Sequence, residues 1–257
     1  MPESDLGLLI DAARRAGEIA TRYHRTDMEI RDKGAGQGPV SQADLEIDTM
    51  LRTTLLAARP EYGWLSEETE DDAARLSAEV VFIVDPIDGT RTYIEGGTTF
   101  AHSLAIARMG RVTEAVVFLP LHDALYSARE GQGAACNETP IRGSARSEIR
   151  DASVLAAKPQ LAADNWPGGV PPVARHYRPS LAYRMCAIAD GQFDAMLTLR
   201  DAWEWDIAAG DLICREAGVR VTDRTGADLA FNSARGMQSG VIAASPGIHG
   251  DFLTRLR

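Results

Sequence analysis

The chain has 257 residues, 45% hydrophobic and 25% charged, the balance of a soluble globular protein with room for one α/β unit or two subdomains. A formal net charge of -10 excludes nucleic-acid binding through a basic surface, though not an anionic small substrate. No stretch approaches the roughly 20 apolar residues of a membrane helix, and the opening MPESDLGLLIDAARR, acidic and then amphipathic, is not a signal peptide.

Residues 5–24 place Leu8, Leu9, Ala12, Ala13, Ala16, Ile19 and Ala20 at helical spacing, which predicts a surface helix with one buried face. A short strand is predicted around 28–31, followed by the Gly-rich loop Lys33-Gly34-Ala35-Gly36-Gln37-Gly38. Ser41 opens a second helix, with Asp44 in its first turn and Leu45, Ile47, Met50, Leu51 and Leu55 on its inner side. Short β runs at 62–65, 80–84, 103–108, 113–118 and 124–128 predict an antiparallel sheet built from hairpins. After about residue 145, strands (153–157, 193–199, 219–222, 240–244) alternate with helices (181–189, 207–217). The pattern predicts an N-terminal α+β subdomain, 1–145, and a C-terminal α/β subdomain, 146–257, that share an interface and a site. Cys136, Cys186 and Cys214 are odd in number and far apart, so neither a disulfide framework nor a zinc cage is expected, and the cytoplasm is the default compartment.

The apolar run Val81-Phe82-Ile83-Val84 ends at Asp85, and Asp88 follows three positions later in a Pro/Gly turn. An ordinary turn needs one Asx residue and a glycine. Two carboxylates that close repel each other unless one is protonated or a cation lies between them. Glu67 and Glu68 likewise follow a predicted strand, and Asp206 lies between Trp203-Glu204-Trp205 and the small-residue helix Ile207-Ala208-Ala209-Gly210. Residues beyond the carboxyl ends of strands tend to line the ligand crevice. Hard oxygen donors without His or Cys suit Mg²⁺ or Mn²⁺ rather than zinc.

Most of these residues also have a plainer reading. Asp206 alone could be a helix N-cap, and Glu67 and Glu68 the start of a solvated acidic run through Glu70, Asp71 and Asp72. Asp44 could simply favour its helix N-terminus, and Arg184 could be a surface charge. His24, His102, His122, His176 and His249 show no metal-ligand spacing and read as structural. The segment from Asp85 to Thr90 has no such plain reading.

Trp64-Leu65-Ser66-Glu67-Glu68, Asp85-Pro86-Ile87-Asp88-Gly89-Thr90 and Trp205-Asp206-Ile207-Ala208-Ala209-Gly210, in this order and spacing, resemble the inositol monophosphatase superfamily across nearly the whole chain. Its members are Mg²⁺-dependent, often lithium-sensitive phosphomonoesterases. The resemblance implies a layered α-β-α-β-α sandwich. It also implies that Asp85, Asp88 and Asp206 hold two or three Mg²⁺ ions, with Mn²⁺ as an alternative, and that Glu67 and the Ile87 carbonyl complete the ligand set. Thr90, positioned by Asp44, would orient and help deprotonate the attacking water, with Glu67 in the same catalytic group. The Gly89 and Thr90 amides would receive phosphate, and Lys33 matches a family loop that closes over the site.

Within the superfamily, members acting on inositol phosphates usually carry Asn two residues after the D-G-T and an acidic residue several positions before the W-D. Thr92 and Leu199 stand there instead. Arg91 resembles the bacterial 3′(2′),5′-bisphosphate nucleotidases (CysQ-type), which tend to have Lys or Arg at that place, and Arg184 falls where they carry a lysine. A guanidinium suits a second phosphate, and Tyr183 beside it reads either as an adenine stack or as core. The resemblance therefore implies hydrolysis of the 3′-phosphate of adenosine 3′,5′-bisphosphate, a by-product of sulfate assimilation. The alternatives are an inositol-1-phosphatase or sugar-bisphosphate phosphatase, and a non-enzymatic partner in RNA metabolism. The expected partner is a small phosphorylated metabolite, with no nucleic-acid polymer and no membrane span, for a monomer or homodimer.

Overall fold

The computed structural model describes residues 4–34 and 38–257; Ala35, Gly36 and Gln37 of the Gly-rich loop lie outside the described residues. Helix α1 (Asp5–Tyr23) starts where the Ser4 hydroxyl accepts the Gly7 amide, and it buries Leu8, Leu9, Ala12, Ala13, Ala16 and Ala20 on one face. An antiparallel ribbon of β1 (Ile30–Asp32) and β2 (Pro39–Ser41) leads into α2 (Gln42–Ala58). Ser41 and Asp44 cap that helix reciprocally, each side chain accepting the other's amide. Asp44, Ile47, Asp48, Leu51 and Leu55 form its buried stripe. Leu45, expected inside, is exposed, and Met50 is only half-buried, because each sits about 100° round the helix from that stripe.

The first sheet has seven strands in chain order: β3 (Gly63–Ser66), β4 (Val80–Asp88), β5 (Ala101–Arg108), β6 (Arg111–Leu119), β7 (Ala124–Arg129), β8 (Ala134–Cys136) and β9 (Thr139–Pro140). Every pairing from β4 onward is antiparallel, as the hairpin spacing predicts. β3 and β4 are parallel, because the segment between them crosses over rather than turning back. β4 does not stop at Val84. It runs through Asp88, and its register against β5 shifts between Asp85 and Asp88. The two acids therefore ride on a bulged strand rather than in a turn beyond it, and a bulge re-aims side chains. A single helical turn and a quarter, α3 (Thr90–Ile94), follows at once.

In the second half the strands are β10 (Ser153–Leu155), β11 (Ala174–His176), β12 (Ala195–Thr198), β13 (Ala202–Trp203), β14 (Arg220–Thr222), β15 (Met237–Gln238) and β16 (Val241–Ala244). Five form a mixed sheet in the order β11-β10-β12-β16-β14, while β13 and β15 pair separately. The helices are α4 (Leu181–Ala189), α5 (Glu204–Glu216) and α6 (Pro246–Arg255). β11 and α6 went unpredicted: β11 is three exposed residues, and α6 carries a proline and two glycines yet buries Ile248 and Phe252 one turn apart. No described helix is long and apolar enough to cross a membrane.

These elements stack as α-β-α-β-α. α1 and α2 cover one face of the seven-stranded sheet, α4 and α5 lie between the sheets, and α6 covers the far face of the five-stranded one. The middle core draws Leu65 and Val117 from the first half and Met185, Leu212 and Val241 from the second. α4 and α5 can approach closely because α5 presents Gly210: a Cβ there would lie 2.6 Å from the Met185 Cβ. Gly210→Ala sets two effects against each other. Alanine gains roughly 1 kcal/mol over glycine inside a helix, whereas overpacking a dense core typically costs about 1–3 kcal/mol. The expected outcome is a net loss of up to about 2 kcal/mol in a urea titration; a stabilised variant would show that the two helices separate freely.

Candidate active site

The bulge in β4 and the start of α5 bring three carboxylates together. One oxygen each from Asp85, Asp88 and Asp206 lies within 4.8 Å of the others. Asp206 stands in the first turn of α5 rather than capping it; Trp203 takes the N-cap position without a side-chain hydrogen bond. Asp88 Oδ2 accepts the Ser180 hydroxyl and the Ala182 amide, both at 2.6 Å, at the start of α4. Asp85 is buried, and neither of its carboxylate oxygens has a hydrogen-bond partner among the described residues. Burial first, then the charges of Glu67, Asp88 and Asp206, push the Asp85 carboxyl well above the usual carboxylate range. Asp206 is pushed up in the same way, by burial and then by Asp88 and Glu67. Burial raises Asp88 to about 6, with Ser180 and Ala182 opposing.

Glu67 leaves the end of β3, and Lys33 Nζ bridges it to Glu68, 2.7 Å from Glu67 Oε1 and 2.6 Å from Glu68 Oε1. Burial and the Glu67 charge raise Glu68 to about 7. α2 organises the surroundings from one face. Asp44 Oδ1 lies 3.2 Å from Thr90 Oγ1, whose single proton is shared between it and the Ile87 carbonyl at 3.0 Å. One turn on, buried Asp48 accepts Ser66 Oγ at 2.5 Å and Thr69 Oγ1 at 2.6 Å, the two hydroxyls that flank Glu67 and Glu68. Burial raises Asp44 to about 6, against the hydrogen bonds from Ser41. Gly89 turns the chain into α3 at φ +104°, a conformation in which a side chain is strained. Behind it, buried His102 donates from Nδ1 to the Pro86 carbonyl; burial lowers its pKa to about 4, so it stays neutral.

Glu67, Asp85, Ile87, Asp88, Gly89, Thr90, Arg91 and Asp206 all line one cleft of about 550 Å³. Asp44 sits behind Thr90, and Lys33 lines an adjoining hollow that shares Glu67 with the cleft. The structure does not bring Tyr183 and Arg184 to the cleft wall. Tyr183 packs against the middle core. Arg184 is buried, donates to the carbonyls of Arg178 and Pro179, and lies 4.7 Å from the Tyr177 ring centroid, so it braces the wall from behind. Residues that sequence reasoning missed take their places: Tyr177, Arg200, Asp201 and Trp203 line the cleft. Ser180 has a local signal, a serine directly before a helix; Asp48 has none beyond its place one turn after Asp44. A larger hollow of about 900 Å³, lined by Arg129, Arg142 and Arg215, contains none of the cleft's carboxylates.

The donor set suits a hard divalent cation. All the converging side-chain donors are carboxylate oxygens, and Asp85 is an orphaned buried acid that a cation would satisfy. The family comparison agrees. The inositol monophosphatase family model matches residues 1–257. The chain belongs to the inositol monophosphatase family. It is 36% identical over 233 residues to the inositol-1-monophosphatase of Rhizobium meliloti, covering 86% of each chain. It is 32% identical over 257 residues to the putative Nus factor SuhB of Neisseria meningitidis, covering 96% of each. Among solved structures, extragenic suppressor protein suhB from Bartonella henselae superimposes with a TM-score of 0.84 at 28% identity, covering 97% of both chains. The family is Mg²⁺-dependent, and the Asp85, Asp88 and Asp206 cluster is where this member could hold the metal.

The raised carboxyls give a stability prediction with a definite sign. A carboxyl whose folded pKa lies above its unfolded value stabilises the fold below about pH 4, and that contribution is lost as pH rises through the folded pKa. For Asp44 and Asp88 the loss runs up to about 6, and for Glu68 to about 7. The melting temperature of metal-free protein should therefore fall between about pH 4 and pH 7, and Mg²⁺ should restore more of it at the higher pH. Melting curves that ignore both pH and Mg²⁺ across that window would contradict a site built on crowded acids.

Proposed function

We propose that the protein is a metal-dependent phosphomonoesterase in which Glu67, Asp85, Asp88, Asp206 and the Ile87 carbonyl hold Mg²⁺, with Mn²⁺ as an alternative. The observation that carries this reading is the convergence of Asp85, Asp88 and Asp206 around the unpartnered Asp85 carboxylate. When bound there, the metal would lower the pKa of a water and neutralise charge on the phosphate. Thr90 aims its hydroxyl at the incoming water and passes a proton toward Asp44, whose raised pKa suits it to receive one near neutral pH. The Gly89 and Thr90 amides, at the start of α3, lie on the cleft wall and are the donors for the phosphate oxygens. Lys33 holds Glu67 and Glu68 against each other, a pairing that a bound cation would replace.

For the substrate, the cleft points to a second anionic group. Arg91 and Arg200 both line it, both are exposed, and neither forms an ion pair with a described residue. Two guanidiniums on the rim suit a second phosphate, and the reading that fits is adenosine 3′,5′-bisphosphate losing its 3′-phosphate. A second reading, inositol 1-phosphate, has its own support. The Rhizobium relative is named for that activity, and Asp201, two positions after Leu199, offers the cleft a carboxylate for hydroxyl groups. The name of the Neisseria relative supports a role outside catalysis, as a partner in RNA metabolism.

Phosphate release with Mg²⁺ from adenosine 3′,5′-bisphosphate and from inositol 1-phosphate, each with and without EDTA, separates these readings. EDTA-sensitive turnover of either supports the phosphatase, and silence on both leaves the partner role. Asp88→Asn and Asp206→Asn should each lower turnover at least ~10²-fold with the fold intact by circular dichroism, because each removes a metal ligand. Near-normal activity in either variant would overturn the metal assignment. Arg91→Ala and Arg200→Ala should raise KM for the bisphosphate by about tenfold more than for the monophosphate, and equal effects on both would remove the case for a second phosphate.

A further inference from the structure

We propose that Trp203 is the platform on which the substrate's planar base stacks. The inference rests on the nucleotide reading above and assigns that reading its base-binding subsite.

The feature begins in the alternation Trp203-Glu204-Trp205. Trp203 ends β13, paired with Met237 of β15, and α5 starts at the next residue. Glu204 turns inward, where its buried carboxylate accepts the amides of Asn232 at 2.6 Å and Ser233 at 3.0 Å together with Gln238 Nε2. Both neighbours therefore turn outward on the same side. Their indole rings stack with centroids 4.6 Å apart and planes 10° from parallel. Trp205 is the inner ring, packed against the middle core, with its carbonyl held by Ser103. Trp203 is the outer ring. It is 38% exposed and has no other ring against it among the described residues.

That pair stands at the boundary between the carboxylate cleft and the adjoining hollow of about 570 Å³, and lines both. An exposed indole on a concave polar wall is a ready surface for a flat ring, and the stack beneath keeps it from turning away. The surrounding charge selects the occupant. Asp206, Trp203 and Arg200 all line this cleft, so one ligand can meet the acids, the indole and a guanidinium within it. A phosphorylated polyol uses the first and last of these features and leaves the indole bare. A purine nucleotide uses all three.

The test reads binding as well as turnover. Titration of the protein with 5′-AMP, the product of 3′-hydrolysis, should quench tryptophan fluorescence saturably, and ribose 5-phosphate should not. Trp203→Leu should abolish most of the quench and raise KM for adenosine 3′,5′-bisphosphate about tenfold more than KM for inositol 1-phosphate, the scale of a lost base–aromatic stack. Trp203→Phe keeps a ring and should recover most of that loss, which separates lost stacking from a disturbed wall. An undiminished quench in Trp203→Leu, or no saturable quench in the wild type, overturns the subsite. Turnover of the nucleotide with no quench would sink the subsite and leave the proposed function standing. A Trp203-dependent quench without nucleotide turnover would do the reverse.

Discussion

The structure depends on mutual repulsion among buried carboxylates. One oxygen each of Asp85, Asp88 and Asp206 lies within 4.8 Å of the others, with Glu67 close enough to raise the pKa of all three. Left to themselves such groups neutralise by binding protons or move apart. The raised pKa values leave the first route open, but the protein closes the second. Two acids are fixed by a bulged strand, the second strand of a seven-stranded sheet, and the third by the first turn of a helix packed between both sheets. Asp88 has two donors and Glu67 has Lys33, but Asp85 has no hydrogen-bond donor among the described residues. A fold that holds a charge it does not satisfy is preorganised for a cation.

α2 shows how the surroundings are held to that purpose. It offers two aspartates one turn apart on its buried face. Asp44 meets Thr90 beyond the bulge, and Asp48 meets the hydroxyls on either side of Glu67 and Glu68. One rigid helix thereby sets the distance between the end of β3 and the start of α3. The same economy appears at α5, where Gly210 admits Met185 of α4 while Asp206, one turn earlier, faces the cleft. Packing in the middle layer and placement of the third acid are consequences of one close helix contact.

Much of this was legible in the chain because its signals are local. The Ser41–Asp44 cap, the apolar periodicity of α1 and the exact span of α4 follow from residues within a turn or two of one another. The Asp85–Thr90 segment declared itself because like charges so close have no structural reason. What the sequence did not show depends on contacts between distant residues. Arg184 reads as a cleft residue from its position, but its donors are taken by carbonyls of Arg178 and Pro179 in a loop whose path only the fold reveals. For Tyr183, which reads either as an adenine stack or as core, the fold decides for the core, because α4 presents that side to the middle layer. Ser180 and Asp88 are 92 positions apart, and Glu204 reaches across to the chain around Asn232, so neither contact has a period or spacing to betray it.

The charges on the cleft wall also bear on how a phosphate ester would enter it. Glu67, Asp85, Asp88 and Asp206 together outnumber the guanidiniums of Arg91 and Arg200. When ionised and without metal, these acids would set a net negative field against a phosphate ester in a partly desolvated space, where repulsion is strongest. A divalent cation at the acids reverses the sign at the floor, and the unpaired arginines then add to the attraction instead of offsetting the acids. On the proposed function, a cation held at the acids would favour the phosphate ester that follows it. Lys33 supplies a positive charge to Glu67 and Glu68, and on the proposed function it would yield that contact to a bound cation.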